Sequence, residues 1–543
     1  MRIFYLIFLF NYLALKHSTS AGSIQQTQDE YHENLVIKPL KVCSRKRSLL
    51  DVLFHFEFLV TVKFDTTNSK IYQHYKFFPR QIGEMVQQHN VRSFELSFAQ
   101  GTWFSEDWGY PPTDSALTGA KITGVVDELN DTENWIGLVN SLSGIYCASL
   151  NQASMENVVS SKSNFVGKNF DFFNDLNPDS KSYNTTTFIG FLPRENVCTE
   201  NLTPFIKQLP CKNKAGIAQL LNPYKLFPSK YYSMSTYFSE HCEDGSQCNS
   251  KVWTFKQTVT TVLVAPYTSE ISTENLFDRN MDTVCSIADS SKVWLLQEPG
   301  SDIAFDPNPL LNCKKSIDGD FTIFERSLLE ENATKISLKT SKIHDTESDE
   351  NNISKSPITV HRYVTGKPGV SGKIQIVVTN NFSESKSVSI FDTMPWYLQP
   401  YFHTLKIVSE VKSGIKKKIE PLSVSISPSV ARTKPSAMEL RLNLEPESKT
   451  VVTFDYEKSF IKLDEHPPDP NRGFNIEPTA LTFNIDNDIT EKNGSAESKA
   501  VPLSCTLSRI FGQTPVNNVC KVTVYSELFV AVLPTPDFSM PYN

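Results

Sequence analysis

Cysteine is the residue type in this sequence whose number and spacing could support chemistry. The chain has ten cysteines, an even number that would allow all of them to pair, although a sequence does not reveal which pairs form. They stand at positions 43, 147, 198, 211, 242, 248, 285, 313, 505 and 520. In the segment VCTENLTPF, Cys198 lies three residues before Asn201, the first residue of an N-glycosylation triplet, and Pro204 follows that triplet. Which thiol would meet Cys198 in so polar a stretch depends on the compartment that the chain enters.

Four cysteines have an ordinary structural interpretation. In HCEDGSQC, the spacing of Cys242 and Cys248 favours a local disulfide in an oxidising compartment over a zinc site, which needs more ligands at recognised spacing. Cys505 and Cys520 flank a loop and could also pair, with a contribution of about 3 kcal/mol from loop entropy.

Two cysteines leave other possibilities open. Cys147 ends a stretch with helical spacing, and it could act as a nucleophile if a histidine lay beside it in the fold. A buried or disulfide-bonded cysteine is the more ordinary outcome at such a position. Cys198 could form an internal bridge to nearby Cys211 or could pair with another chain. A cysteine-dependent hydrolase therefore stays open as one alternative function.

No other motif in the sequence predicts catalysis or cofactor binding. The glycine-containing segment TGKPGVSGK lacks the spacing of a phosphate-binding loop, and neither HExxH nor GxSxG occurs. We therefore expect neither a cofactor nor a metal site. The net charge of −7 also argues against a nucleic-acid partner, which would require a basic face on the protein.

The N-terminus predicts entry into the secretory pathway. Residues 1–21 have the tripartite pattern of a signal peptide, with Arg2, an apolar run and small residues up to Ala21. In the lumen beyond, disulfides and N-glycans can form. The asparagines of Asn-x-Ser/Thr triplets are Asn130, Asn184, Asn201, Asn332, Asn352, Asn381 and Asn493. After residue 21, no apolar run reaches the length of about 18 residues expected of a membrane helix.

The elements that must position these residues are mostly β-strands. The segments FHFEFLVTVKF (54–64) and FELSFA (94–99) alternate apolar with polar residues, which predicts strands that place one face on a core. Helical spacing occurs at 133–150 and at 214–221. The polar composition of residues 335–356 predicts a linker or an exposed loop.

We therefore expect a mainly β chain with a few inserted helices, arranged as two stacked, sandwich-like luminal domains. The first would comprise residues 22–334, and the second, an antiparallel β-sandwich, would comprise residues 357–543. From the residues alone, the chain could be either an interaction or scaffold ectodomain or an enzyme with a concealed site.

Six segments stand in collinear order along residues 95–543. They are ELSFAQGTWFSEDWG, NSLSGIYCASLN, VCTENLTPFIKQLPC, DTMPWYLQPYFHTL, HPPDPNRGF and LPTPDFSMPYN. Together they resemble the PIG-T family, a non-catalytic subunit of the GPI transamidase complex. The resemblance implies a scaffold in the endoplasmic reticulum lumen that holds and stabilises a caspase-like catalytic subunit. That complex cleaves a C-terminal signal from a proprotein and joins the new carboxyl end to a GPI lipid amine.

The resemblance also implies a role for Cys198. In the family, the cysteine of the VCTEN motif forms an intermolecular disulfide with the catalytic subunit, and the motif match assigns that role to Cys198. Nine cysteines would then remain, and Cys43 is the candidate for a further unpaired thiol. The implied partners are the catalytic subunit, the other membrane subunits and proprotein substrates. The alternative is a secreted or luminal ligand-binding β-sandwich ectodomain unrelated to GPI.

Aromatic residues in the matching segments are candidate partner contacts, with core packing as the alternative. These residues are Trp103, Trp108, Trp396 and Tyr397. The resemblance implies a location on the luminal side of the endoplasmic reticulum membrane, with type I topology. In the family a membrane helix follows directly, whereas this sequence ends at Asn543, so we expect attachment through partners. We also expect residues 534–543 to form an extended segment that leads towards the bilayer.

Overall fold

The structure of the protein is a computed structural model. It describes residues 28–40, 49–65, 75–113, 118–162, 184–193, 195–242, 250–266, 270–297, 303–306, 314–318, 321–331, 336–340, 358–366, 370–466, 472–486, 503–511 and 519–533. The predicted signal peptide (1–21) and the predicted extended segment (534–543) lie outside these ranges. Strands dominate the described residues, so the prediction of a mainly β fold with inserted helices is confirmed.

The N-terminal half is built on a sheet of eleven strands and a smaller sheet of three. The strands of this half are β1 (Gln28–Leu40), β2 (Leu49–Asp65), β3 (Val91–Gly101), β4 (Gly119–Asp127), β5 (Val158–Lys162), β6 (Thr185–Leu192), β7 (Tyr231–Cys242), β8 (Ser250–Pro266), β9 (Glu270–Ser272), β10 (Ser290–Gln297), β11 (Ile303–Asp306), β12 (Lys314–Asp318), β13 (Phe321–Ser327) and β14 (Ser337–Thr340). The large sheet has the order β12-β13-β10-β1-β2-β8-β7-β3-β4-β6-β5, and only β1 and β10 pair in parallel. The small sheet has the order β11-β14-β9.

The long central strand β2 is buried on both faces. Phe54, Phe56 and Phe58 belong to the main apolar core, as their alternation predicted. On the opposite face, His55 and Glu57 are also buried, with 1% and 4% of their surface exposed. The expectation that one face meets solvent was therefore wrong. The reason is that apolar clusters form on both sides of this sheet, so that no face of its central strand is left open.

Helices supply much of the cover on one face of the large sheet. The helices of this half are α1 (Arg80–Gln88), α2 (Ser105–Trp108), α3 (Asp131–Tyr146), α4 (Thr199–Lys207), α5 (Pro223–Leu226), α6 (Thr273–Phe277) and α7 (Leu328–Glu331), with 3-10 turns at Leu150–Gln152 and Ile217–Leu220. Helix α3 overlaps the stretch 133–150 that has helical spacing but begins two residues earlier, and it buries Trp135 and Leu138 in the main core. Trp135 stacks on Phe188 of β6, with ring centroids 5.1 Å apart. The stretch 214–221 forms only a 3-10 turn.

The C-terminal half is an antiparallel β-sandwich of two five-stranded sheets. Its elements are β15 (Ile358–Thr365), β16 (Ser371–Asn380), β17 (Lys386–Met394), β18 (Leu398–Val411), β19 (Lys416–Lys418), β20 (Ser423–Ser427), β21 (Ser436–Leu444), β22 (Ser448–Lys458), β23 (Phe474–Ile476), β24 (Ala480–Asp486), β25 (Val519–Tyr525), β26 (Phe529–Ala531), the helix α8 (Leu503–Ile510) and a 3-10 turn at Leu463–Glu465. The sheets have the orders β15-β16-β22-β18-β19 and β20-β21-β17-β24-β25, and β23 pairs with β26. Alternating residues such as Ile376, Leu440 and Phe454 fill the core between them.

The two halves pack against each other through three groups of contacts. One is an apolar cluster that joins β5 and β6 to the second sheet of the sandwich; its buried members are Val159, Ile189, Phe191, Phe391, Ala437 and Ala480. A second is Tyr110, which enters the sandwich core and accepts a hydrogen bond from the Ile358 amide at 2.9 Å. The third is α8, whose Leu503 and Leu507 pack on the N-terminal sheet. The halves are therefore stacked through apolar surfaces.

The first residues of the predicted linker at 335–356 form a strand. Residues 337–340 form β14, which pairs with β9 and β11 of the N-terminal half. Residues 341–357 lie outside the described ranges. Lys339 and Thr340 gave the stretch a polar composition, yet the ladder of backbone hydrogen bonds with its neighbours places this strand in the folded half.

Candidate site at Cys198

The described cysteines divide into bonded and free residues. Cys211 is joined to Cys285 with their Cα atoms 6.0 Å apart, and Cys505 is joined to Cys520 with a Cα separation of 5.8 Å. Cys242 is also disulfide-bonded, while Cys248, Cys43 and Cys313 lie outside the described residues. Of the cysteines that the structure describes, Cys147 and Cys198 carry free thiols. The structure therefore contradicts an internal bridge between Cys198 and Cys211, because Cys211 is bonded to Cys285, which lies in the loop before β10.

Cys198 stands at the N-cap of helix α4, with an extended backbone at φ −147° and ψ −178°. The sequence indicated a polar stretch here, but residues 199–207 form a nine-residue helix. The reason is its apolar face, since Leu202 and Phe205 are buried in the main core. Pro204 lies inside this helix, and its carbonyl still accepts a hydrogen bond from Gln208 at 3.1 Å.

Helix α4 is fastened to its surroundings at its far end. The Tyr146 hydroxyl of α3 donates a hydrogen bond to the Gln208 side chain at 2.8 Å, and it lies 2.9 Å from the Thr236 hydroxyl of β7. The Gln257 amide of β8 donates to the Phe205 carbonyl at 3.0 Å. These contacts fix the orientation of the helix against both α3 and the sheet, and they therefore fix the position of its first turn.

The chain beyond α4 docks on strand β1 beside the Cys211–Cys285 disulfide. Gly216 has φ +76°, and a Cβ atom at this position would lie 2.5 Å from a carboxylate oxygen of Glu33 and 2.8 Å from the Cβ of Cys285. Only glycine fits between these groups in that backbone conformation. The loop therefore approaches β1 more closely than any other residue type would allow.

Glu33 receives this loop as a buried, fully partnered carboxylate. It accepts hydrogen bonds from the Tyr31 hydroxyl at 2.9 Å, the Ile217 amide at 3.3 Å and the Ser291 hydroxyl at 3.1 Å. Burial raises the pKa of Glu33 to about 7, although these three hydrogen bonds pull the pKa the other way. The carboxyl group thus links β1, β10 and the loop that follows α4.

The second free thiol, that of Cys147, lies near Cys198 in the folded chain. Cys147 is the C-cap of α3, with a left-handed backbone at φ 50° and ψ 46°, and it is exposed. Cys198 is half-buried. Asn201 of α4 connects the two positions, because its amide contacts the backbone of Cys198, Tyr146 and Cys147. Neither thiol is hydrogen-bonded to a histidine in the described part of the chain.

The structure separates the candidate glycosylation sites. Asn130, Asn184 and Asn381 are exposed. Asn201 differs from these three, because it is 1% exposed and uses its amide in internal hydrogen bonds. The remaining candidates, Asn332, Asn352 and Asn493, lie outside the described residues.

The candidate partner-contact aromatics are largely internal. Trp108 and Trp396 are buried within the chain, which favours core packing, the alternative to partner contact, at both positions. Trp103 is half-buried, packs edge-on against Trp108 and Tyr231, and donates a hydrogen bond to the Gly109 carbonyl at 2.7 Å. Tyr397 is half-buried and lies against Trp396 and Phe474. These large rings fill space that the apolar cores and the contact between halves require.

Two further features bear on the type of site. Among the described residues, no group of three or more histidine, cysteine or acidic side chains could hold a metal ion. In the same part of the chain, no helix is both long enough and apolar enough to cross a membrane.

Similarity to known proteins identifies the family. Residues 14–270 and 264–543 match the model of the Gpi16 subunit, a GPI transamidase component. The chain belongs to the Gpi16 family. The GPI-anchor transamidase component PIGT of Mus musculus is 30% identical over 96% of this chain and 87% of its own length. The PIG-T homologue of Schizosaccharomyces pombe is 27% identical over 99% and 89%, and the component GPI16 of Saccharomyces cerevisiae is 26% identical over 94% and 85%.

Membership of the Gpi16 family gives this chain a role in GPI transamidase, a complex of the endoplasmic reticulum, together with the other subunits of that complex. The resemblance to PIG-T that six sequence segments indicated is confirmed, and the alternative of an ectodomain unrelated to GPI is wrong. Sequence reasoning placed Asn201 beside Cys198 only as a candidate glycan acceptor, and it missed Glu33 and Gly216. A glycine close to Cys211 was the only visible signal, because partners remote in sequence determine the other two roles.

Proposed function

We propose that this Gpi16-family chain is a non-catalytic scaffold subunit of GPI transamidase on the luminal side of the endoplasmic reticulum membrane. In this role it holds the caspase-like catalytic subunit through an intermolecular disulfide at Cys198, while the other membrane subunits and the proprotein substrate complete the assembly. The observation that carries the proposal is a free, half-exposed thiol at the first turn of a helix that is fastened at its other end.

Disulfide geometry explains why the fastening matters. The two Cα atoms of a disulfide stand about 4.4 to 6.8 Å apart, and the Cβ atoms must face each other. A thiol on a loosely held segment would lose conformational freedom when it met its partner, which would weaken the joint. Cys198 avoids much of this loss because Tyr146 and Gln257 hold α4 on the sheet before any partner binds.

A purely structural role for both free thiols is the simplest competing interpretation. It predicts that neither cysteine leaves the chain's own fold, and it gives no reason for a free thiol in the VCTEN motif. A catalytic role would require a base beside one of the thiols, and the hydrogen-bond partner of the Cys198 thiol is the side-chain oxygen Oδ1 of Asn201 at 3.5 Å. These contacts favour a thiol that forms a joint over a thiol that attacks a substrate.

The test is a non-reducing gel of the complex isolated from endoplasmic reticulum membranes. Wild type is compared with Cys198→Ser and with Cys147→Ser, which removes the neighbouring free thiol and is the matched control. We expect a heavy band that contains the caspase-like subunit in the wild type and in Cys147→Ser. This band disappears on reduction and is missing in Cys198→Ser. A heavy band that persists in Cys198→Ser but is lost in Cys147→Ser would move the joint to Cys147. A monomer band in all three samples would contradict the covalent link.

A further inference from the structure

The side chain of Asn201 lies between the backbones of the two free cysteines. Its Oδ1 accepts a hydrogen bond from the Cys198 amide at 2.9 Å, and its Nδ2 donates to the Tyr146 carbonyl at 2.8 Å. The same Nδ2 lies 3.5 Å from the Cys147 carbonyl. Only 1% of Asn201 is exposed. Both ends of the amide are therefore committed to internal partners.

This arrangement satisfies the open ends of two helices at once. Asn201 is the third residue of α4, and its bond back to the Cys198 amide is the reciprocal half of a capping box, a role usually taken by Glu or Gln. The carbonyls at the end of α3 have no partner within that helix, and Nδ2 supplies one to Tyr146. A single buried amide thus connects the end of α3 to the start of α4.

The bond to the Cys198 amide also orients the thiol. It holds the N-cap backbone in its extended conformation, which fixes the direction of the Cα–Cβ bond of Cys198. The Sγ atom then lies 3.5 Å from the same Oδ1. Since a disulfide forms only over a narrow range of Cα and Cβ positions, a fixed Cα–Cβ direction favours capture of a partner thiol.

From this geometry we infer that Asn201 is a positioning residue for the intermolecular disulfide of Cys198, and that its glycosylation triplet stays unmodified in the folded protein. The first half of the inference rests on the proposed function. The second follows from burial, because a glycan would replace a hydrogen of Nδ2 and would need an open path to solvent, whereas Nδ2 is enclosed against α3. Asn184 differs, since it is exposed.

Three variants separate positioning from general stability. Asn201→Ala removes both hydrogen bonds. Asn201→Asp keeps an acceptor for the Cys198 amide and loses the donor to the Tyr146 carbonyl. Thr203→Ala destroys the triplet and leaves the Asn201 amide in place, so it is the matched control. Each variant is made in the full chain, expressed with the catalytic subunit, and examined for the ratio of linked to unlinked chain on a non-reducing gel. The thermal midpoint of the purified chain is measured in parallel.

We expect Asn201→Ala to lower the ratio of linked to unlinked chain about fivefold, which corresponds to the roughly 1 kcal/mol of a lost helix cap. Asn201→Asp should restore that ratio to within about twofold of wild type, although its thermal midpoint falls, because the acceptor for Cys198 remains. If the linked ratio instead falls in step with the thermal midpoint in both variants, the role of Asn201 is structural and the inference is overturned.

The gels also distinguish this inference from the proposed function. If wild type and Thr203→Ala lack the linked band, the proposed disulfide fails, and the positioning role fails with it. If both have the band and only the pattern among the Asn201 variants is wrong, the proposed function stands without the positioning role. For the glycan, Thr203→Ala should migrate as wild type does before and after deglycosylation. A faster band that becomes equal to wild type after deglycosylation would overturn the second half of the inference.

Discussion

Helices α4 and α8 are both short and amphipathic, but their cysteines differ in bonding state. Each buries an apolar face and has a cysteine near its N-terminus, Cys198 at the N-cap of α4 and Cys505 within α8. In α8, Cys505 is bonded to Cys520 of β25, so the thiol is consumed within the sandwich. At the start of α4, Cys198 stays free. The comparison suggests that a bonded cysteine anchors an element within the chain, whereas a free cysteine on an equally well-held helix is available to another chain.

The neighbours of the two helices support this contrast. Helix α8 leaves the sandwich and packs Leu503 and Leu507 on the outer face of the N-terminal sheet, among Trp108 and Leu296. Phe511, just after the helix, meets Trp294 with ring centroids 6.4 Å apart. Trp108, Trp294 and Phe511 therefore take part in the contact between the chain's own halves. At the start of α4, by contrast, the thiol of Cys198 is half-buried and unbonded.

The largest expected effect compares the disulfides on the two sides. Removal of Cys211–Cys285 by paired alanine substitutions opens a loop of 74 residues, and removal of Cys505–Cys520 opens one of 15. Loop entropy predicts a loss of about 4 kcal/mol in the free energy of unfolding for the first and about 3 kcal/mol for the second. Urea denaturation of the purified chain measures both.

The same two variants sharpen the comparison through the partner link. Only loss of Cys211–Cys285 should weaken the linked band of Cys198, because that bridge lies next to α4 and its following loop. Cys147→Ser is the control for cysteine removal, since its thiol is free and exposed. Equal loss of the linked band in both disulfide variants would mean that formation of the Cys198 disulfide depends on the stability of the whole chain and not on the position of α4.

A cavity created under α8 should weaken the contact between the two halves and leave the Cys198 site unchanged. Leu507 is 4% exposed and packs on the N-terminal sheet, so Leu507→Ala should lower the free energy of unfolding by about 3 kcal/mol. Leu129, which is 81% exposed, provides the control, and Leu129→Ala should stay within about 0.5 kcal/mol of wild type. Limited proteolysis should cut Leu507→Ala faster between the halves. Unchanged proteolysis would argue against α8 as a connection between them.

The α4 side should also respond to pH through Glu33. Its folded-state pKa is about 7, above the ordinary value of 4.5, so the folded chain keeps a proton that the unfolded chain releases. The contribution of this group to stability is complete below pH 4.5 and is lost as the pH rises through 7, up to about 3 kcal/mol. Glu33→Gln removes the titration, so the stability difference between wild type and variant should shift by that amount between pH 5 and 8.

Comparison within one pair of variants isolates Glu33 from other buried groups. His55 has a pKa lowered to about 3 by burial, so its contribution is lost as the pH falls below its ordinary value of 6.5. Because His55 is present in both proteins, its effect cancels in the difference. A wild-type-minus-variant stability that is flat from pH 5 to 8, measured by urea denaturation, would show that Glu33 is ionised in the folded chain.

Some of this architecture was predictable from sequence, and the reason is local patterning. Alternation predicted the strands β2 and β3, helical spacing predicted α3, and the segment resemblance indicated the family. The roles of buried polar residues were not predictable. His55 and Glu57 alternate like solvent-facing residues, yet a second layer covers them. Asn201 has the pattern of a glycan acceptor, but its side chain forms an internal hydrogen bond because the end of α3 packs beside it.

The packing of the aromatic residues was not predictable for a related reason. Trp108 and Trp396 are equally suited to a core and to an interface, because the same large apolar surface serves both. Which use applies depends on whether another part of the chain arrives to cover the ring. Here α8 packs beside Trp108, and the guanidinium of Arg432 lies 4.7 Å from the centre of the Trp396 ring. Contacts of such long sequence separation leave no trace in the local pattern.

The smallest expected effect is a difference in thiol labelling rates, and it tests the contrast between α4 and α8 directly. Iodoacetamide applied to the folded, partner-free chain should modify Cys147 a few-fold faster than Cys198, because the first is exposed and the second half-buried. Cys505 and Cys520 should remain unlabelled until a reductant is added, since both sulfurs are bonded. Peptide mapping by mass spectrometry assigns each label to its cysteine. Labelling of Cys505 without reductant would place a free thiol on α8 and remove the difference between the two helices.

Failure of Cys198 to react at any time before unfolding would mean that the thiol is closed to a small reagent. It would then also be closed to the thiol of another subunit, unless docking first opened the turn that Asn201 holds.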